Sequence, residues 1–314
     1  MTTRHRSLVT AVVVATIAAS CSSGSAATPT QPPPSLSSQP RTPTESSSAS
    51  PLPDFTHVYV IVLENEEYGS IAGSAQAPYL NSLIVDGGLA ANYFGVAHPS
   101  QPNYLALFSG STQGVTDDGS HDLPGTNLAD QLEAAHKTWS VFAQDYPGGC
   151  FTGSTKGGGG EGIGKAGSYA RKHDPAISFT DISSNAARCA RIASLAAFDP
   201  AAADFELIVP NQCNDMHSCP VSDGDAFLGT FVPRITSSAA FAGSVLFITT
   251  DEGTSNQGGG GQVATVVVSP LGRPGFTSTV RHDHYSLLRT IEDAWGLACL
   301  GQACSATNMA EFFR

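Results

Sequence analysis

The chain has 314 residues, a formal net charge of -12, 41% hydrophobic residues and only 13% charged ones. That hydrophobic share is ample for a large core, and the acidity argues against nucleic acid as a partner. A cluster of carboxylates can still hold a cation, which would then draw an anionic substrate to it.

Residues 1–20 read as an export signal. Arg4 and Arg6 precede a short apolar run, Leu8 to Ala19, too short to span a bilayer. The run ends Ile17-Ala18-Ala19-Ser20-Cys21. Small residues before a cysteine resemble a lipobox, which would make Cys21 a lipidated N-terminus; ordinary cleavage near Ala27 is the alternative. Residues 22–53 are almost wholly Ser, Pro, Thr, Ala and Gln, a composition that cannot bury a core, so 21–53 reads as an anchor and a disordered tether. On this reading the protein is exported, as a cell-surface lipoprotein or a secreted protein, and meets a membrane only through the lipid.

Six cysteines remain: Cys150, Cys189, Cys213, Cys219, Cys299 and Cys304. An even set in an exported protein reads as disulfides. Order along the chain suggests Cys213–Cys219 and Cys299–Cys304 as short clips and Cys150–Cys189 as a longer one. A cysteine zinc site is disfavoured, since no pair has CxxC spacing.

Residues 54–314 read as one domain without internal repeats. Val58 to Leu63 (VYVIVL) is a strand buried on both faces, and it stops on Glu64 and Asn65. That pair either ligates a cation, caps the next helix or is simply solvated. Helical spacing covers Pro78 to Val85, a shorter strand Leu89 to Val96, and a helix Tyr104 to Phe108 that ends at Gly110. Leu128 to Ala135 reads as a helix and Thr138 to Phe142 as a strand. Gly153 to Gly167 is glycine-rich but lacks a phosphate-loop ending, so it reads as a mobile surface loop. Strands come next at Phe205–Val209, Ser244–Thr250 and Gln262–Ser269, with a helix over Ala226–Ile235 and an amphipathic helix His284–Trp295. Alternating strands and helices predict an α/β domain with a mostly parallel sheet covered on both faces.

Three strands run into polar clusters: Glu64-Asn65, Asp215 with His217, and Asp251-Glu252. In a parallel sheet these ends share one edge, where crowded carboxylates call for a divalent cation. After the second strand lies His98-Pro99-Ser100-Gln101-Pro102-Asn103. Ser100 would sit at or just before a helix N-terminus, where N–H groups favour an anion. It is a candidate nucleophile, activated by a metal, or else only an N-cap. No GxSxG elbow is present, which disfavours a Ser-His-Asp acyl hydrolase.

VYVIVLEN, HPSQPNYLALFSG, YARKHDP, NDMH, TTDEG and DHYSLLRTIED, in this order, resemble the phosphoesterase family of bacterial acid phosphatases and phospholipases C. The resemblance covers Phe55 to about Trp295. It implies an alkaline-phosphatase-like fold, a central mostly parallel sheet sandwiched by helices. It implies Glu64, Asn65, Asp251 and Glu252 as ligands of one divalent metal, with a second left open, and Ser100 as the nucleophile of a phosphoserine mechanism. His217, Asp215 and His284 match catalytic positions; His98, Asn103, Lys172 and His173 match substrate-binding ones. The implied substrate is a phosphomonoester. Within the family the likeness is to exported actinobacterial acid phosphatases, which brings in phosphatidylinositol 3-phosphate. A phospholipase C-like phosphodiesterase is the alternative, and a surface lipoprotein that binds metal or anions without turnover is a third reading. Glu66-Glu67 replace the Arg-Ser of longer members and would add two carboxylates beside the site. The close spacing of Asp215 and His217 favours one metal over two.

Overall fold

A computed structural model describes residues 52–157 and 168–314. The export signal, Cys21, nearly all of the tether and residues 158–167 of the glycine-rich segment lie outside the described residues. All those described belong to one compact unit. The strands are β1 (Val58–Leu63), β2 (Gly88–Phe94), β3 (Trp139–Ala143), β4 (Thr155–Gly157), β5 (Ser168–Ala170), β6 (Ile192–Ser194), β7 (Phe205–Val209), β8 (Val245–Thr250), β9 (Gln262–Val268), β10 (Phe276–Ser278) and β11 (His282–Asp283). The α-helices are α1 (Tyr68–Ile71), α2 (Pro78–Asp86), α3 (Ser100–Ser109), α4 (Leu128–Ala134), α5 (Thr180–Ser183), α6 (Ala186–Cys189), α7 (Val221–Thr236) and α8 (His284–Ala294).

Nine strands form one sheet in the order β10-β2-β9-β8-β1-β7-β3-β6, with β11 added beside β2. Only β9 runs antiparallel to its neighbours, β2 and β8. β1 is central, pairing in parallel with β7 on one side and β8 on the other. Its side chains alternate between two cores. Val58, Val60 and Val62 face a core that includes Leu105 and Phe108 of α3, Leu132 of α4 and Leu288 of α8. Tyr59, Ile61 and Leu63 face a second core with Leu80 of α2 and Leu228 and Phe231 of α7. All six β1 residues are buried, which explains the unbroken apolar run. The α/β sandwich is as expected.

Several boundaries differ. α3 begins at Ser100, a full turn before Tyr104, because Pro102 at the third position needs no donor in the first turn. α7 begins at Val221 behind Pro220, earlier than the apolar spacing indicates. The segment read as a surface loop instead opens with a strand: β4 pairs antiparallel with β5, so the described ends of the glycine-rich stretch are joined by a ladder. Cys150–Cys189, Cys213–Cys219 and Cys299–Cys304 are disulfides, the pairing that chain order suggests. The first ties the segment after β3 to α6, and the second closes the loop after β7.

Candidate active site

The parallel strands β1, β7 and β8 deliver their polar ends to one edge. The Asp251 N–H donates to the Leu63 carbonyl at 2.9 Å, and the Glu64 N–H donates to the Asp215 carbonyl at 2.7 Å. Backbone bonds between adjacent strand ends thus fix Glu64, Asp215 and Asp251 relative to one another. Asn65 takes a left-handed backbone (φ 57°), and its N–H donates to Asp251 Oδ1 at 3.1 Å.

Ser100 is the first residue of α3, with Pro99 at the cap and no side-chain capping bond. It is therefore not an N-cap. Its hydroxyl instead reaches Glu64 Oε2 at 2.9 Å and Glu252 Oε1 at 3.4 Å. One proton cannot serve both, and the shorter contact is the better bond. The other Glu64 oxygen accepts from the Tyr104 hydroxyl at 2.6 Å and lies 3.2 Å from His173 Nε2. His173 Nδ1 stands 3.3 Å from Asp215 Oδ2, and the ring stacks on Tyr104. At 1% exposed, His173 is a support between two carboxylates rather than a wall of the opening.

His98 Nδ1 is 2.6 Å from Glu252 Oε2, and its Nε2 donates to the Ser255 carbonyl at 2.9 Å. The His217 N–H donates to Asp215 Oδ1 at 2.8 Å, while its half-buried ring lies 5.8 Å from that of His173. Lys172 Nζ pairs with Asp118 Oδ2 at 2.9 Å. His284 Nε2 donates to the Asp251 backbone carbonyl, and its Nδ1 accepts from Tyr93 at 3.1 Å. Both nitrogens are occupied, so His284 holds Asp251 from behind and does not face Ser100. Asn103, expected to touch substrate, is also turned inward. Its Oδ1 accepts from the Val96 and Ala97 N–H groups, and its Nδ2 donates to the Ala97 and Pro99 carbonyls. Its whole hydrogen-bonding capacity goes to shaping the turn before Ser100.

Burial and then the Asp251 charge push the Glu64 carboxyl well above the usual range. Burial and Glu252 do the same to Asp251, and burial and Glu64 to Asp215. Burial, reinforced by Lys172 and His217, holds His173 well below the ordinary imidazole range. Carboxylates crowded in this way repel one another unless a cation neutralises them. Asp251 Oδ2 is buried with no hydrogen-bond partner. Asp215 Oδ2 and Glu252 Oε2 make none either, each having only a histidine nitrogen beside it. By donor type these carboxylate oxygens suit a hard divalent cation. Among the described residues one trio brings its ligand atoms within 4.8 Å of one another, Cys213, Cys219 and Asp223. Two of these form a disulfide and offer no thiolate. The acidic edge is more widely spaced than that.

Glu67, expected to add charge beside the site, turns to the neighbouring loop. Its oxygens accept from the N–H groups of Thr254, Ser255 and Gln262 and from the Ser255 hydroxyl. Two residues escape a reading of the sequence: Tyr104 and Asp118. Tyr104 lies within the HPSQPNYLALFSG motif, so proximity to Ser100 is the available signal. Nothing local marks Asp118.

A mostly parallel sheet under helices, with a serine at a helix head facing acidic strand ends, is an arrangement suited to the hydrolysis of phosphoric esters. Residues 73–298 match the Phosphoesterase family, and the chain belongs to that family. It is 34% identical to the phosphatidylinositol-3-phosphatase of Mycobacterium tuberculosis, covering 85% of each chain. It is 26% identical to an acid phosphatase of Aspergillus fumigatus over 95% of this chain and 69% of that one. In fold it is similar to the lipoteichoic acid synthase LtaP from Listeria monocytogenes (TM-score 0.55, 10% identity, covering 86% and 79%). A protein of the alkaline phosphatase superfamily from Vibrio parahaemolyticus gives a TM-score of 0.51 at 12% identity, covering 82% and 71%.

Proposed function

We propose that the chain is an exported, metal-dependent phosphomonoesterase that works through a phosphoserine at Ser100, with phosphatidylinositol 3-phosphate as a substrate. The observation that carries this is the Ser100 hydroxyl, 2% exposed, bonded to Glu64 and set beside Glu252 at the head of α3. Glu64, Asn65, Asp251 and Glu252 would hold the cation. When bound, the cation supplies the positive charge that lets a serine hydroxyl ionise near neutral pH and that offsets the phosphate.

The remaining steps belong to the chain. Glu64 Oε2 would take the hydroxyl proton as Oγ attacks phosphorus in line. The Oγ–P bond forms as the ester O–P bond breaks. His217 would protonate the departing alkoxide. Water then hydrolyses the phosphoserine and frees inorganic phosphate. Lys172 and the first turn of α3 stabilise the phosphate oxygens. The similarity to the mycobacterial enzyme supports the phosphoinositide. Three disulfides support an oxidising compartment and hence export.

The test is a paired assay of residues 54–314 and Ser100→Ala, on p-nitrophenyl phosphate and its bis ester, with and without chelator. Monoester cleavage lost with chelator and with Ser100→Ala is expected, followed by release of phosphate from phosphatidylinositol 3-phosphate. Preference for the bis ester would make it a phosphodiesterase. Full activity in Ser100→Ala would remove the serine from the chemistry.

A further inference from the structure

The anion position at the head of α3 is filled by the protein itself. Asp118, on the loop after α3, places Oδ1 3.0 Å from the Gln101 N–H and Oδ2 2.9 Å from Lys172 Nζ. Pro102 has no N–H, so Gln101 supplies the donor next to Ser100 in the first turn. Lys172 is only 8% exposed, and Asp118 28%. One carboxylate thus bridges a helix N-terminus and a nearly buried ammonium, as two oxygens of a phosphate would. Next to it, Asp122 pairs with Arg171 at 2.8 Å, and Arg171 also donates to the His121 carbonyl at 2.7 Å. Two acidic side chains of this loop thus pair with Arg171 and Lys172.

We propose that Asp118 is a stand-in for phosphate, displaced when a phosphoester binds and returning when inorganic phosphate leaves. This rests on the reading that the phosphate is handled beside Ser100. Substrate exchanges one anion for another at Gln101 and Lys172, so the carboxylate weakens phosphate binding and opposes product inhibition. Asp118 is a specificity residue, since it touches the binding groups and takes no part in bond making.

The experiment measures binding of inorganic phosphate by titration calorimetry to Asp118→Asn, Asp117→Asn and the double variant Asp118→Asn/Lys172→Gln. Asp117 is an exposed neighbour paired with His121, so its variant removes the same charge without the bridge. Asp118→Asn should bind phosphate about tenfold more tightly than the parent, a change of about 1.4 kcal/mol. Asp117→Asn should change affinity by less than about twofold, the size of a weak exposed charge effect. Lys172→Gln should erase the gain in the double variant. Equal tightening by Asp117→Asn and Asp118→Asn, or weaker binding in Asp118→Asn, overturns the proposal. Measured in the Ser100→Ala background, the same series separates this from the nucleophile: binding gains without turnover keep the stand-in whether or not Ser100 attacks.

Discussion

Tyr104 shows how a residue's role depends on a partner far along the chain. Its hydroxyl donates to Glu64, and its ring stacks on His173. Sequence alone places it one helical turn past Ser100, on the same face. It does not reveal that Glu64, from another strand, lies opposite. Tyr104→Phe keeps the ring and removes a bond to a buried carboxylate. Bonds to charged groups are worth roughly 1.5–3 kcal/mol, so kcat/KM should fall about tenfold to a hundredfold. The melting temperature should fall by no more than the loss of that one bond accounts for, because the stacked ring remains. Unchanged kinetics would show that Glu64 holds its place without Tyr104. Asn103 illustrates the converse. Its type and position suit substrate contact, yet four backbone partners consume it. Residue type limits what an amide can do, and only the fold decides where it points.

Elements were legible where the apolar pattern is long. β1, β7 and β8 stand out because burial on both faces makes their runs unbroken. Their polar endings were legible as well, since a parallel sheet collects carboxyl ends on one edge. The two- and three-residue strands β6, β10 and β11 carry too little pattern to be read. Their pairing comes from neighbours and not from their own sequence. The loop between β8 and β9 is similar. It starts at Asp251-Glu252 and is pinned by Glu67 at Thr254, Ser255 and Gln262. A Cβ at Gly253 would meet the Glu67 carboxylate, so a side chain there would push Glu67 off these donors. Glu67→Ala removes the acceptor shared by these donors and should cost about 1–3 kcal/mol. Hydrogen exchange across residues 252–262 should quicken, and kcat should fall as Glu252 loses its setting. Unaltered exchange would mean that the ladder from Gly95 to Gly260 and Gly261 suffices to hold the loop.

At the scale of the whole molecule, a buried carboxyl also lies at the edge of the sheet opposite the site. Glu206 lies at the second position of β7, near the amino edge and away from Ser100, paired with Tyr59 and Ser140. It is fully buried, its Oε1 accepts from the Ala203 N–H at 3.1 Å, and its Oε2 has no partner. Burial pushes its carboxyl up to about 8. The folded state therefore keeps a proton that the unfolded chain releases near its ordinary value of 4.5. For an acid raised in this way the stabilisation is full below the unfolded pKa. It is lost as pH rises towards the folded pKa, at up to about 1.4 kcal/mol per pH unit. Glu206→Gln has no proton to lose there. Unfolding by urea from pH 4.5 to 8.5 should show the parent losing stability relative to the variant across that window, with no further divergence above about 8. Parallel curves would mean that Glu206 ionises at its ordinary pKa in the folded protein. The expected slope means that Glu206 by itself favours the folded state more in mild acid than at neutral pH.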